Sequence, residues 1–211
     1  MANNTALIGD AETLLQILNN DFSETEGRFE DNNITTIRAY AFYNKDSLKH
    51  ISTPNVISVG QKAFSNCSAI ESIYMPNVVT IDSNAFAWTG SASTPLTAVF
   101  PKVSGILKGT FNRAHVQVCD LGPGVTQLAS DAFYTNGNSV ICQTLILRKE
   151  DGIVTAGSAD SINGLRDVYV PSALISTYQS ATYWSTNSNI TFHAIEGSEY
   201  EHYYADGTPV E

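Results

Sequence analysis

The sequence predicts a repeat solenoid, mainly β, in which short strands and tight turns or 3-10 segments coil around one apolar interior between helical caps. Three observations predict it. Ala-Phe recurs at Ala41-Phe42, Ala63-Phe64, Ala85-Phe86 and Ala132-Phe133, with Thr110-Phe111 in the same slot, so the phenylalanines are spaced 22, 22, 25 and 22 residues apart. An aliphatic stands five residues before each (Ile37, Val59, Ile81, Ile106, Leu128) and another eight before (Ile34, Val56, Val78, Val103, Val125). The other half of the unit also repeats. Leu48-x-x-Ile51-x-x-Pro54 aligns with Ile70-x-x-Ile73-x-x-Pro76, and Leu96-x-x-Val99-x-Pro101 and Leu165-x-x-Val168-x-x-Pro171 follow the same shape.

A unit of this length cannot enclose a core, because most of its apolar surface would stay wet. Stacked on copies of itself, it aligns each Ile, Val and Phe with the same residue above and below. Each such burial contributes about 1.5–3 kcal/mol. The prolines mark strand ends, where a missing N–H costs least.

The elements then follow in order. Residues 1–33 are expected to form an N-terminal cap, with a helix over 6–22 that puts Leu14, Leu15, Ile17 and Leu18 on one side between Asp10 and Asn19-Asn20. Residues 34–171 hold five to six repeats, each a strand, a proline-marked turn, a Val-x-x-Ile step, Ala-Phe and a polar turn. The polar turns begin at Asn44, Asn66 and Thr135. Two units deviate: 87–95 lengthen one turn, and 113–124 lack the Leu-x-x-Ile strand although Val116, Val118 and Leu121 remain available for apolar contact. Residues 172–195 read as a helix–strand cap. Its helix turns Ala173, Leu174, Tyr178, Ala181 and Trp184 toward the last repeat, and its strand alternates through Ile190, Phe192 and Ala194. The acidic tail, 196–211, carries Tyr200, Tyr203 and Tyr204 and is expected either to be mobile or to clasp a partner.

Ile70-x-x-Ile73-x-Met75-Pro76-x-Val78-x-x-Ile81-x-x-x-Ala85-Phe86 resembles the BspA-like leucine-rich repeat, LxxIxIPxxVxxIxxxAFxxC. Cys67 fills the cysteine slot, whereas Lys45 and Thr89 depart from it. The resemblance spans roughly residues 34–171. It implies a right-handed leucine-rich-repeat coil with a parallel sheet of short strands on one face.

Composition narrows the function classes. Lys plus Arg number 11 against 21 Asp plus Glu, a formal charge of −10, which repels nucleic acid and anionic lipid. No apolar run reaches the roughly 20 residues of a membrane span. The first 20 residues have neither the basic start nor the apolar core of a signal peptide. Either export by that route is not used, or the natural start has been replaced. Cys67, Cys119 and Cys142 are odd in number and widely spaced, which predicts buried thiols, with one bridged pair left open for an extracellular setting. His50, His115, His193 and His202 show no metal-binding spacing, Gly122-Pro-Gly124 is too short for a phosphate loop, and no GxSxG elbow occurs. The expectation is no catalytic residue, no metal and no cofactor.

What remains is surface. Strand side chains alternate, so residues between the buried aliphatics point outward. That reading places His50 and Ser52, Ser72 and Tyr74, Ala98 and Phe100, and Asp167 and Tyr169 on the outer sheet face. His50, Ser72, Tyr74, Phe100, Asp167 and Tyr169 are the candidate binding residues, with Tyr74 and Phe100 as neighbours. Rigidly held aromatics bind at low entropic cost. The resemblance implies a recognition or adhesion module taking a protein or glycan on a cell surface. A second setting comes from Val170-Pro171, Leu174, Tyr178, Ala181 and Trp184, which resemble the ending of repeat proteins from phage tails and prophages. The expected location is extracellular, on a virion with neighbouring virion proteins as partners or on a bacterial surface. A purely structural assembly part is a further alternative.

Overall fold

The structure, a computed structural model, describes residues 26–136 and 141–201. Its first six strands are β1 (Arg28–Glu30), β2 (Thr36–Ile37), β3 (His50–Ser52), β4 (Ser58–Val59), β5 (Ser72–Tyr74) and β6 (Thr80–Ile81). There follow β7 (Leu96–Phe100), β8 (Val116–Leu121), β9 (Gln127–Leu128), β10 (Cys142–Leu147), β11 (Thr155–Ala156), β12 (Leu165–Val170) and β13 (Thr191–Ala194). One wall of the coil is a parallel sheet in the order β1-β3-β5-β7-β8-β10-β12-β13. Among the described residues the opposite side carries two-residue strands only, β2-β4-β6 and β9-β11, with Ile106 bridging to Leu128 between them. The predicted β solenoid is the fold found.

The repeated residues make the interior. Phe42, Phe64, Phe86, Phe111 and Phe133 are fully buried. Their rings stack at successive centroid separations of 5.0, 5.3, 5.6 and 5.2 Å, within 13° of parallel. Phe29 meets Phe42 edge-on at 4.7 Å. The backbone of the Ala-Phe turn is laddered as well: the N–H of Phe42, Phe64, Phe86 and Phe111 each donates to a carbonyl of the next turn at 2.8–2.9 Å. Every turn therefore satisfies its neighbour's backbone, which is how a stack of incomplete units avoids orphaned polar groups.

The cysteine slot has a clear role. Cys67 Sγ donates to the Phe42 carbonyl and Thr89 Oγ1 to the Phe64 carbonyl, each at 2.9 Å. Both side chains are buried. Burial pushes the Cys67 thiol up to about 12, so it stays protonated and able to donate. Cys67, Cys119 and Cys142 are free thiols.

Several expectations need correction. Among the described residues the parallel sheet already includes Arg28–Glu30, ahead of the expected first repeat at 34. The stretch 113–124 does not lack a strand: Val116–Leu121 is a six-residue strand paired on both sides. Its Val-x-Val-Cys pattern satisfies the alternation without the Leu-x-x-Ile signature. A further six-residue strand, Cys142–Leu147, lies next to it. The predicted N-terminal helix over 6–22 falls outside the described residues.

At the C-terminal end Ser172–Leu174 form a 3-10 turn, followed by α1 (Ile175–Ser180), a second 3-10 turn at Trp184–Thr186, and β13. Tyr178 and Trp184 are buried against the last turns, Leu174 and Ala181 pack beside them, and Ala173 is exposed, contrary to expectation. The Val154 N–H donates to Tyr178 Oη at 2.8 Å, and Trp184 Nε1 donates to the Val154 carbonyl at 3.0 Å. Two cap side chains thus replace the backbone ladder that a further turn would have supplied.

Candidate binding face

Register fixes what the sheet shows outward. One row runs Arg28, His50, Ser72, Thr97, Val118, Thr144, Asp167, Thr191. The second runs Glu30, Ser52, Tyr74, Val99, Asp120, Ile146, Tyr169, His193. Between them lies the inward row of Phe29, Ile51, Ile73, Ala98, Cys119, Leu145, Val168 and Phe192.

The chemistry changes midway. Over β1, β3 and β5 the outward side chains are polar or aromatic. His50 Nδ1 and Ser72 Oγ lie 2.9 Å apart, and His50, Ser52, Ser72 and Tyr74 are all half-buried. Over β7, β8 and β10 apolar Val99, Val118 and Ile146 share the outward positions with Thr97, Asp120 and Thr144, and all three apolar residues are buried. For Val118 and Ile146 the cover is the chain itself. Ile195 joins Val118 and Ile146 in a cluster of its own, flanked by Tyr169 and Tyr200. Tyr200 meets Tyr169 edge-on at 4.7 Å, and Tyr169 stacks on His193 at 4.7 Å. His193 Nε2 and Asp167 Oδ1 lie 2.7 Å apart.

An ion pair pins this cover. Arg148 donates to both Asp120 oxygens at 2.8 Å and, through Nη2, to the Tyr200 carbonyl at 2.9 Å. Asp120 is only 2% exposed. Burial pushes its carboxyl above the usual carboxylate range, while the Arg148 hydrogen bonds and charge pull the other way.

The predicted set therefore divides. His50, Ser72 and Tyr74 come together on the open half. Tyr169 lies against the returning tail and Asp167 pairs with His193 on the same strand pair, four strand spacings or about 19 Å from Tyr74. Phe100 is a correction: it is fully buried and packs inward on Phe86 and Phe111 at 5.7 and 6.4 Å. Ala98, also expected outward, is buried for the same reason. Aligning Val99 with Ile73 was one residue off; Ala98 is the partner of Ile73 and Val99 that of Tyr74. Counting back three residues from each proline gives Ile51, Ile73, Ala98 and Val168, the true inward row. Asp120, Arg148, Ile195 and Tyr200 were missed. The available signal was the near-continuous apolar character of Leu96–Phe100 and Leu145–Leu147, which marks strands covered on both faces.

Among the described residues, no group of three or more His, Cys, Asp or Glu is arranged to hold a metal, and no helix is long and apolar enough to cross a membrane.

A family model described as the BspA type leucine rich repeat region matches residues 16–140 in six copies. Among solved structures, the pneumococcal vaccine antigen PcpA is similar in fold, with 14% identity and a TM-score of 0.52 over 79% of this chain and 40% of that one. A leucine-rich repeat protein from Bacteroides ovatus matches at 15% identity over 68% of this chain and 54% of its own, with a TM-score of 0.32. This chain thus spans about half or less of either structure. No curated protein sequence matches it.

Proposed function

The chain belongs to the BspA-type leucine-rich repeat family, and from that premise we propose that it is a non-enzymatic recognition module that adheres to a protein or glycan through the open half of its outer sheet face. One observation carries this reading. Outward Val118 of β8 and Ile146 of β10 are covered by the chain's own tail, whereas His50, Ser72 and Tyr74 stand half-exposed on a rigid parallel sheet. A face of mixed aromatic and polar side chains with fixed backbones suits binding at low entropic cost.

The setting we favour is a phage virion or prophage tail, with a bacterial cell-surface adhesin as the alternative. The phage-like ending Tyr178, Ala181 and Trp184 supports the first through resemblance, although the same residues already serve as the cap of this coil. The fluorescently labelled chain should be incubated with intact bacterial and animal cells, alongside a folded His50→Ala/Tyr74→Ala variant. Selective staining of particular bacterial strains, lost in the variant, supports the virion setting; staining of animal cells supports the surface adhesin. Equal staining by the variant would remove the open face from consideration. No staining of any cell would point to a structural assembly part.

A further inference from the structure

A second feature lies away from the outer sheet face, where the turns enter β7 and β8. The position two residues after Phe42, Phe64, Phe86 and Phe111 holds Asn44, Asn66, Trp88 and Arg113, and all four have left-handed backbones, with φ of 62°, 63°, 60° and 54°. Asparagine adopts this conformation readily; tryptophan and arginine do so only under strain. Strain of this kind persists where the surrounding structure imposes it, and it clusters at ligand sites. Here it places the Arg113 guanidinium 4.6 Å from the Trp88 ring centroid while Trp88 remains 49% exposed.

Around this pair is a groove of about 470 Å³, lined among others by Ser91, His115 and Ser68. That volume falls in the roughly 300–1,000 Å³ range of small-ligand sites. The inserted turn forms one wall. It is held there by the Gly90 N–H on the Cys67 carbonyl at 3.2 Å, and a Cβ at Gly90 would come within 2.6 Å of the His115 carbonyl. The charge pattern is equally specific. In a chain with a formal charge of −10, no described residue lining the groove is a carboxylate, whereas Arg113 and His115 both are basic. Among the described residues neither side chain has a hydrogen-bond or ion-pair partner. An aromatic ring beside an unpaired planar donor fork matches a sugar ring that bears a carboxylate: the ring takes its C–H face and the guanidinium its charge, bidentately.

We propose that the Trp88–Arg113–His115 groove binds a carboxylated sugar, a sialic or uronic acid unit. The site is independent of the open sheet face. The test uses the whole chain with 3′-sialyllactose, digalacturonate, lactose and a hexaglutamate peptide. Of the two tryptophans, Trp184 is buried and 1% exposed, so acrylamide quenching reports on Trp88. At least one carboxylated sugar should shield Trp88, with lactose at least tenfold weaker. Trp88→Asn places the residue of the neighbouring turns in the same backbone and should fold, yet lose binding by isothermal titration. Arg113→Gln should reduce the carboxylated sugar to the level of lactose. The proposal is overturned by equal binding of lactose, by no binding of either acid sugar, or by binding that survives in folded Trp88→Asn. Tighter binding of hexaglutamate than of both sugars would assign the groove to an acidic peptide instead.

Discussion

The two halves of the coil are held together by different means. From β1 to β6 each turn repeats the last, so the same side chain lies above and below itself and polar outward residues meet water. In the large sheet β7, β8, β10 and β12 lengthen to five or six residues, apolar Val99, Val118 and Ile146 enter the outward rows, and contacts between non-equivalent positions take over: Tyr200 on Tyr169, Arg148 on Asp120, Tyr178 and Trp184 on Val154. A repeat pattern can specify a ladder, because one residue choice serves every turn. It cannot specify closure, which needs particular partners at particular places. Substitutions in the two halves should therefore fail differently.

The largest effect is expected in the ladder. Phe64 is stacked between Phe42 and Phe86, so Phe64→Ala leaves a cavity that neither neighbour can fill alone. The loss should be about 3–5 kcal/mol in urea unfolding, with protection lost from both sides of the cavity in hydrogen exchange. A loss confined to one turn would show that the stack is not cooperative.

The cap should respond to alkali. Burial pushes the Tyr178 hydroxyl up to about 12, against an ordinary value of 10.0. The folded state then holds this proton more tightly than the unfolded state, so stability is fully present below pH 10 and is lost as pH rises toward 12. Tyr178→Phe should flatten that dependence, while costing about 1–2 kcal/mol at neutral pH by orphaning the Val154 N–H. Parallel alkaline profiles for the two proteins would exclude Tyr178 as the cause.

The tail is the next most sensitive part. Arg148→Met leaves Asp120 buried without its partner and frees the Tyr200 carbonyl. Because Arg148 is itself partly exposed, the expected loss is about 2 kcal/mol, below the range for fully buried pairs. Amides of 195–201 should exchange faster while β1 to β6 are unaffected. Restoring an apolar match with Asp120→Leu/Arg148→Met should recover most of the stability; if it does not, the pair matters for more than burial.

These contrasts also explain what could be read in advance. The ladder was legible because its signal is repeated: five phenylalanines and ten aliphatics all fall inside where the spacing puts them. The inward row was legible wherever proline kept its distance from the aliphatic, and was misread once, at Phe100, where the 25-residue unit invited an alignment by leucine instead. The split of the outer face was hidden for another reason. Val118 and Ile146 announce that something covers them, but not that the cover is Ile195 and Tyr200, which lie about 50–80 residues later in the chain. A tail of that composition is equally compatible with water, and only contacts between unlike residues decide the matter.

The smallest expected effect concerns the cysteine slot, and it separates a chemical role from a positional one. Cys67 and Thr89 occupy equivalent sites, each buried and each donating to the carbonyl of the preceding turn's phenylalanine at 2.9 Å. If the slot requires only a short side chain with one donor, Cys67→Thr should stay within about 1 kcal/mol of the parent, since hydroxyl replaces thiol on the same acceptor. Cys67→Ala removes the donor and strands the buried Phe42 carbonyl, at a cost of about 1–2 kcal/mol. Urea midpoints of the three proteins under reducing conditions give the order directly. Threonine no better than alanine would mean that the slot selects sulfur for its packing, and that Thr89 is tolerated because the lengthened turn beside it gives way.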